Sequence, residues 1–147
     1  MNGAINNRAD TPINFPIVRL ADVLLMQAEC LNELGKSDEA VALINQVRAR
    51  AGMPGLNSGP DHLRASSKDE VFARIRHERA VELCCEGHSF ADMKRWHLLE
   101  TLNGKEERYI TGAKSLYTRK VIDRDYLWPI PVGEIDKNPL LEQNPGW

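Results

Sequence analysis

A chain of 147 residues with 42% apolar and 27% charged side chains has the composition of a soluble globular protein and the length of one domain. Its formal charge of −2 argues against a nucleic-acid surface, which needs a basic face. No window approaches the roughly 18 consecutive apolar residues of a membrane-spanning helix.

In chain order, residues 1–16 are polar and interrupted by Gly3, Pro12 and Pro16. They lack a basic-then-apolar export pattern and a cysteine that could be lipidated, so a linker is expected there. The linker starts abruptly, as the edge of an excised piece would. From Ile17 to Leu34 apolar side chains recur at helical spacing (Ile17, Leu20, Ala21, Leu24, Ala28, Leu31), and Val23, Leu25 and Leu34 widen the stripe. A helix over about 17–34, buried on more than one side, follows. Gly35 suits the left-handed residue after its end. Ser37, with Asp38 and Glu39, opens a second helix over about 38–51, with Ala40, Val41, Ile44 and Val47 inward.

Helices joined by two or three residues pack antiparallel. The pair resembles a tetratricopeptide hairpin in register, with Leu24, Ala28 and Leu31 facing Ala40, Ile44 and Val47; the tryptophan and glycine of that motif are absent. After a Gly/Pro-rich loop, Ser67-Lys68-Asp69-Glu70 forms a capping box that opens a third helix over about 68–86. A fourth is expected over about 90–102. Residues 105–125 carry only weak strand or loop signals. The end, 126–147, holds Pro129, Pro131, Pro139 and Pro145, which forbid a long helix, yet is rich in Leu, Ile and Trp. An extended strap lying on a helical body accounts for both properties. The fold class is thus all-α, tetratricopeptide-like hairpins with an extended proline-rich C-terminal strap.

Cys30, Cys84 and Cys85 have no metal or redox spacing and are expected to be buried small apolar side chains. Glu78, Glu82 and Glu86 repeat every four residues and share a helix face. Carboxylates stacked along one helix point the same way, whereas glycosidase carboxylates flank a sugar from opposite sides. They are therefore expected to form a structural ion-pair network with Arg79, Asp92, Arg95 and Trp96, with Arg76 also near in sequence. His77-Glu78 opens an H-E-x-x-H pattern that fails at Val81, and Cys84/His88 spacing is broken by Gly87, so neither a metal nor a cofactor is expected. No catalytic residue is assigned, and an enzyme is not expected. Trp96, Trp128 and Trp147 are expected to anchor the core or strap, leaving Tyr109 and Tyr117 as the less improbable ligand contacts.

Three blocks occur in order: Arg19-Leu-Ala-Asp-Val-Leu-Leu-Met-Gln-Ala-Glu29 with Ile44-Asn-Gln-Val-Arg-Ala-Arg-Ala-Gly52; Glu78-Arg-Ala-Val-Glu-Leu-Cys-Cys-Glu-Gly-His-Ser-Phe-Ala-Asp-Met-Lys-Arg-Trp96; and Gln143-Asn-Pro-Gly-Trp147. Together they resemble the C-terminal portion of the SusD/RagB family, over nearly the whole chain from Ile17 onward. Ser89, Ala91 and Cys84-Cys85 depart from that family's usual residues. The resemblance implies a non-catalytic glycan- or nutrient-binding lipoprotein of the outer-membrane cell surface, partnered by a SusC-like TonB-dependent transporter. Its membrane link would be a lipid anchor absent from this chain. In that family most ligand contacts come from the N-terminal half, so the ligand-binding residues here are not assigned. From another class, the alternative is a helical scaffold that binds a protein in its hairpin groove.

Overall fold

The computed structural model describes residues 17–108 and 115–147, and within 106–116 the backbone alone where it is described. The expected linker over 1–16 and Tyr109 lie outside the described residues. The chain divides into two compact units, up to Cys84 and from Cys85. It is mostly helical, as the hairpin pattern requires.

The first unit holds α1 (Leu20–Glu33), α2 (Ser37–Arg50) and α3 (Lys68–Glu82). All three helices pack on one another. Ala21, Leu25 and Ala28 of α1 meet Ala40, Val41, Ile44 and Val47 of α2 and Val71 and Ile75 of α3 in one apolar cluster, with Leu56 and Ala65 closing it from the loop. The alanines at 28 and 40 are fully buried, and their small side chains let the two backbones come close. At one end of the trio the buried Asn32 amide ties all three helices. Its Nδ2 donates to the Lys68 carbonyl (3.0 Å) and its Oδ1 accepts from the Ser37 hydroxyl (2.8 Å). Lys68 also reaches Glu33 at 2.7 Å.

α3 opens on the capping box that its first residues encode. Ser67 Oγ accepts from the Glu70 N–H, and the Glu70 carboxylate accepts from the Ser67 N–H at 3.0 Å and the Ser66 N–H at 2.8 Å. These donors, the Ser66 amide foremost, hold the Glu70 carboxyl down at about 2. A carboxyl whose folded pKa is depressed adds stability above its ordinary pKa, and that stability is lost as pH falls through the folded value. Acid-induced loss of helicity in wild type is therefore expected to include a component between about 4.5 and about 2. Far-UV dichroism of Glu70→Ala should show that component removed.

The loop between α2 and α3 is stitched by side-chain amides. Asn45 grips both backbone groups of Leu56 (2.6 and 3.1 Å), and Asn57, in the left-handed region at φ 62, grips both of Ala65 (2.8 and 2.9 Å). Each clamp satisfies a donor and an acceptor that burial would otherwise strand.

The first helix begins at Leu20, not Ile17, and the third and fourth differ more from the sequence expectation. α3 ends at Glu82, not Glu86, because Cys85 (φ 65) and Gly87 (φ 87) both sit in the left-handed region. The next helix, α4, is His88–Arg95 rather than 90–102; His97 (φ 52) breaks it, and Leu99–Leu102 is only a 3₁₀ turn. All three cysteines are exposed thiols rather than core side chains. Cys84 and Cys85 fall beyond the shortened α3, and Cys30 lies on the outer side of α1.

The second unit contains α4, a short antiparallel pair β1 (Glu106–Arg108) and β2 (Ser115–Thr118), a 3₁₀ turn at Asp123–Tyr126, and a single helical turn α5 (Val132–Ile135). Here the strap expectation needs correction. Residues 126–147 do not run extended; they double back and close on themselves. The Gln143 side-chain amide clamps both backbone groups of Ile130 (2.8 and 2.9 Å), and Asn144 Nδ2 donates to the Trp128 carbonyl. The Trp147 indole N–H donates to the Leu127 carbonyl at 3.0 Å. Pro131 does not oppose this turn, because a proline at a helix start gives up a donor the helix does not use. At the end of the loop, a Cβ on Gly146 (φ +88) would lie 2.9 Å from Arg124 Cβ, so glycine is what lets the chain close. The segment's apolar side chains are not sealed away: Leu140 is 90% and Trp128 73% exposed.

Candidate functional site

The acidic residues of α3 meet arginines of the other two helices. Glu78 accepts from Arg48 of α2 in a buried pair, and Arg48 Nε also donates to the Pro54 carbonyl at 2.7 Å. Arg79 donates to Asp22 of α1 at 2.9 Å, with side chains only 4% and 5% exposed. Glu82 is gripped from both sides, by Arg19 at the start of α1 and Arg50 at the end of α2, each at 2.6 Å. Four arginines thus face three carboxylates across the helix trio. Arg76 stands two positions before Glu78 on α3, and residues two apart on a helix do not face each other, whereas helix packing brings Arg48 and Arg50 of α2 to Glu78 and Glu82. In the second unit Asp92 accepts from Arg95 Nε at 2.9 Å, and the Arg95 guanidinium lies 4.4 Å from the Trp96 ring centre. Glu86 is half-buried in the break between α3 and α4.

Both oxygens of Glu82 accept from guanidinium groups. Among the described residues no group of three or more His, Cys, Asp and Glu is placed to hold a metal ion. Nor is any described helix long and apolar enough to cross a membrane.

The second unit has a recess of about 840 Å³ among Phe90, Tyr117, Trp128, Trp147, Leu99 and Leu102. Each part has a local cause. Phe90 and Lys94 stand one turn apart on α4, and the Lys94 ammonium sits 5.7 Å from the Phe90 ring and 5.5 Å from the Trp128 ring. Trp147 is set by its indole N–H bond and by Arg124, whose guanidinium lies 4.5 Å from the ring. Tyr126 pins the floor: its hydroxyl accepts from the Leu99 N–H at 3.0 Å and donates to Glu100. That donation pulls the Glu100 carboxyl below its usual range, while loss of water, with the Glu100 bond second, pushes the Tyr126 phenol up. Arg119, Lys120 and Asp125 add polar groups to the walls.

Trp128 and Trp147 had been expected as packing anchors. Trp147 does anchor its loop, but it also faces the recess, and the Trp128 ring stays largely exposed beside the Lys94 ammonium while its carbonyl accepts from Asn144. Sequence spacing could not show that rings from positions 90, 117, 128 and 147 meet, since the closure depends on amide clamps with no periodic signature.

The SusD family model matches residues 1–147. The chain belongs to the SusD family. SusD-like protein P38 of Formosa agariphila is 37% identical over 133 residues, covering 89% of this chain and 24% of the relative. SusD-like protein P2 of the same organism is 37% identical over 150 residues, covering 97% and 28%. The solved structure of a SusD-like protein from Bacteroides fragilis superposes with a TM-score of 0.76 at 29% identity, covering 89% of this chain and 25% of that one. This SusD-family chain therefore spans about a quarter of the length of the relatives it matches.

Proposed function

We propose that this chain is part of a non-catalytic, glycan- or nutrient-binding protein of the outer-membrane surface, anchored through lipid outside these residues. The captured ligand would pass to a SusC-like TonB-dependent transporter. Family membership supports the class of protein, and the engagement of Glu78 and Glu82 by arginine supports the absence of acid–base chemistry. The observation that carries a ligand role within these residues is the recess with four aromatic side chains around it. Sugar rings present flat C–H faces that stack on such rings, while lysine and arginine at the rim can donate to hydroxyls.

Titration of an oligosaccharide panel by calorimetry tests this. A ligand is expected to bind the chain, and Trp128→Ala should weaken it by roughly three- to tenfold, the loss of one aromatic stack. The melting temperature should stay within a degree or two, because the Trp128 ring is largely in solvent. Binding unaltered in Trp128→Ala would remove the recess from the ligand path, and glycan hydrolysis abolished by Glu82→Gln would overturn the non-catalytic reading.

A further inference from the structure

The recess of the second unit has a charge balance opposite to that of the chain. The protein as a whole carries a formal charge of −2. Yet Arg119 and Lys120 line the recess, against one carboxylate, Asp125, among its described lining residues. That carboxylate is turned to the backbone, with Oδ2 accepting from the Ile122 N–H at 2.9 Å. Glu100, next to the lining Leu99, is likewise engaged, by the Tyr126 hydroxyl. Two further cations lie against lining rings: Lys94 beside Phe90 and Trp128, and Arg124 on Trp147. The local excess is therefore cationic, and it is concentrated at the aromatic faces.

Lys94 decides what such a site prefers. Among the described residues neither Lys94 nor Lys120 forms an ion pair. The Lys94 ammonium is half-buried and 5.5 Å from the Trp128 ring, which is itself 73% exposed. A sugar ring that stacks on Trp128 takes water away from that ammonium, and the lost hydration has to be replaced. Neutral hydroxyls replace it in part. An anionic oxygen does so through a charge-assisted hydrogen bond, about twice as strong as a neutral one. Stacking alone is indifferent to ligand charge, so the lysine beside the stack supplies the discrimination.

We propose that the recess selects an anionic sugar, one with a carboxylate or sulfate next to the ring that stacks on Trp128 and within reach of Lys94. This rests on the ligand reading of the recess and adds the charge of the ligand to it.

Two matched pairs of probes test it by calorimetry on the 147-residue chain: the galacturonic acid tetramer with its methyl ester, and a sulfated galactan tetramer with its desulfated form. Within a pair the stacking faces are alike and the charge differs. The anionic member of at least one pair is expected to bind about tenfold tighter or more at low salt, with the advantage shrinking as salt rises. The pair that shows it tells carboxylate from sulfate. Lys94→Met, which keeps the apolar stem and removes the charge, should reduce that ratio to roughly twofold or less. Equal affinity within both pairs, or tighter binding of the neutral members, would overturn the anionic preference while leaving the recess a ligand site. A preference unmoved in both Lys94→Met and Lys120→Gln would put the anion elsewhere on the protein and overturn it too. Absence of binding by all four probes would overturn the ligand reading itself, and this inference with it.

Discussion

Arg79→Ala is expected to destabilise the first unit by about 3–5 kcal/mol, measured as a lower urea midpoint with little change in slope. The reason is the charge left behind. Asp22 and Arg79 are almost completely enclosed and 2.9 Å apart, so truncating the arginine leaves a carboxylate that is neither hydrated nor paired. Replacing both partners, as Asp22→Leu with Arg79→Met, should recover most of the loss, because the cost lies in the orphaned charge and not in the missing attraction. Exposed pairs supply the contrast. Lys36→Ala, which breaks a 3.2 Å contact with Glu39 between two half-exposed side chains, should alter stability by less than about 1 kcal/mol and less still in high salt. An Arg79→Ala midpoint within error of wild type would mean that water reaches Asp22 and that the pair contributes little to holding α1 on α3.

Such a network is partly legible in a sequence and partly not. Four-residue spacing puts Glu78 and Glu82 on one side of a helix. Which arginines they meet depends on how α1 and α2 fold back, and Arg19 is 63 residues from Glu82. The core of the hairpin was readable because burial repeats with the helix: Ala28, Ala40, Ile44 and Val47 are inward by period alone. The breadth of apolar residues on α1 pointed to burial on more than one side, whereas Leu20, Val23 and Leu34 are exposed and the buried residues lie on the inner face. The cysteines misled, since a small apolar side chain is usually interior, yet these three lie on an outer face or past a helix end. The C-terminal segment misled for a different reason. Its prolines exclude a long helix but do not choose between an extended strap and a closed loop. That choice is made by Gln143, Asn144 and Gly146, through single hydrogen bonds and one close approach that no periodicity announces. The recess follows from that closure: Tyr117, Trp128 and Trp147 stand out in the sequence, Phe90 does not, and the meeting of the four has no sequence signature.

Two leucines of α1 turn the inner-and-outer distinction into a measurement. Leu25→Ala should cost about 2–5 kcal/mol, whereas Leu20→Ala should change the stability of this chain by no more than about 0.5 kcal/mol. The chemistry and the helix are the same, and alanine is a slightly better helix former at both positions. Only the surroundings differ: Leu25 has no exposed surface and is enclosed by α2 and α3, while Leu20 is 72% exposed. At Leu25 the deletion removes transfer free energy and also leaves a cavity that the close-packed alanines at 28 and 40 cannot collapse to fill. At Leu20 it removes surface already in water. Urea denaturation of both variants measures the difference directly, and equal midpoint shifts would mean that the two leucines have like surroundings.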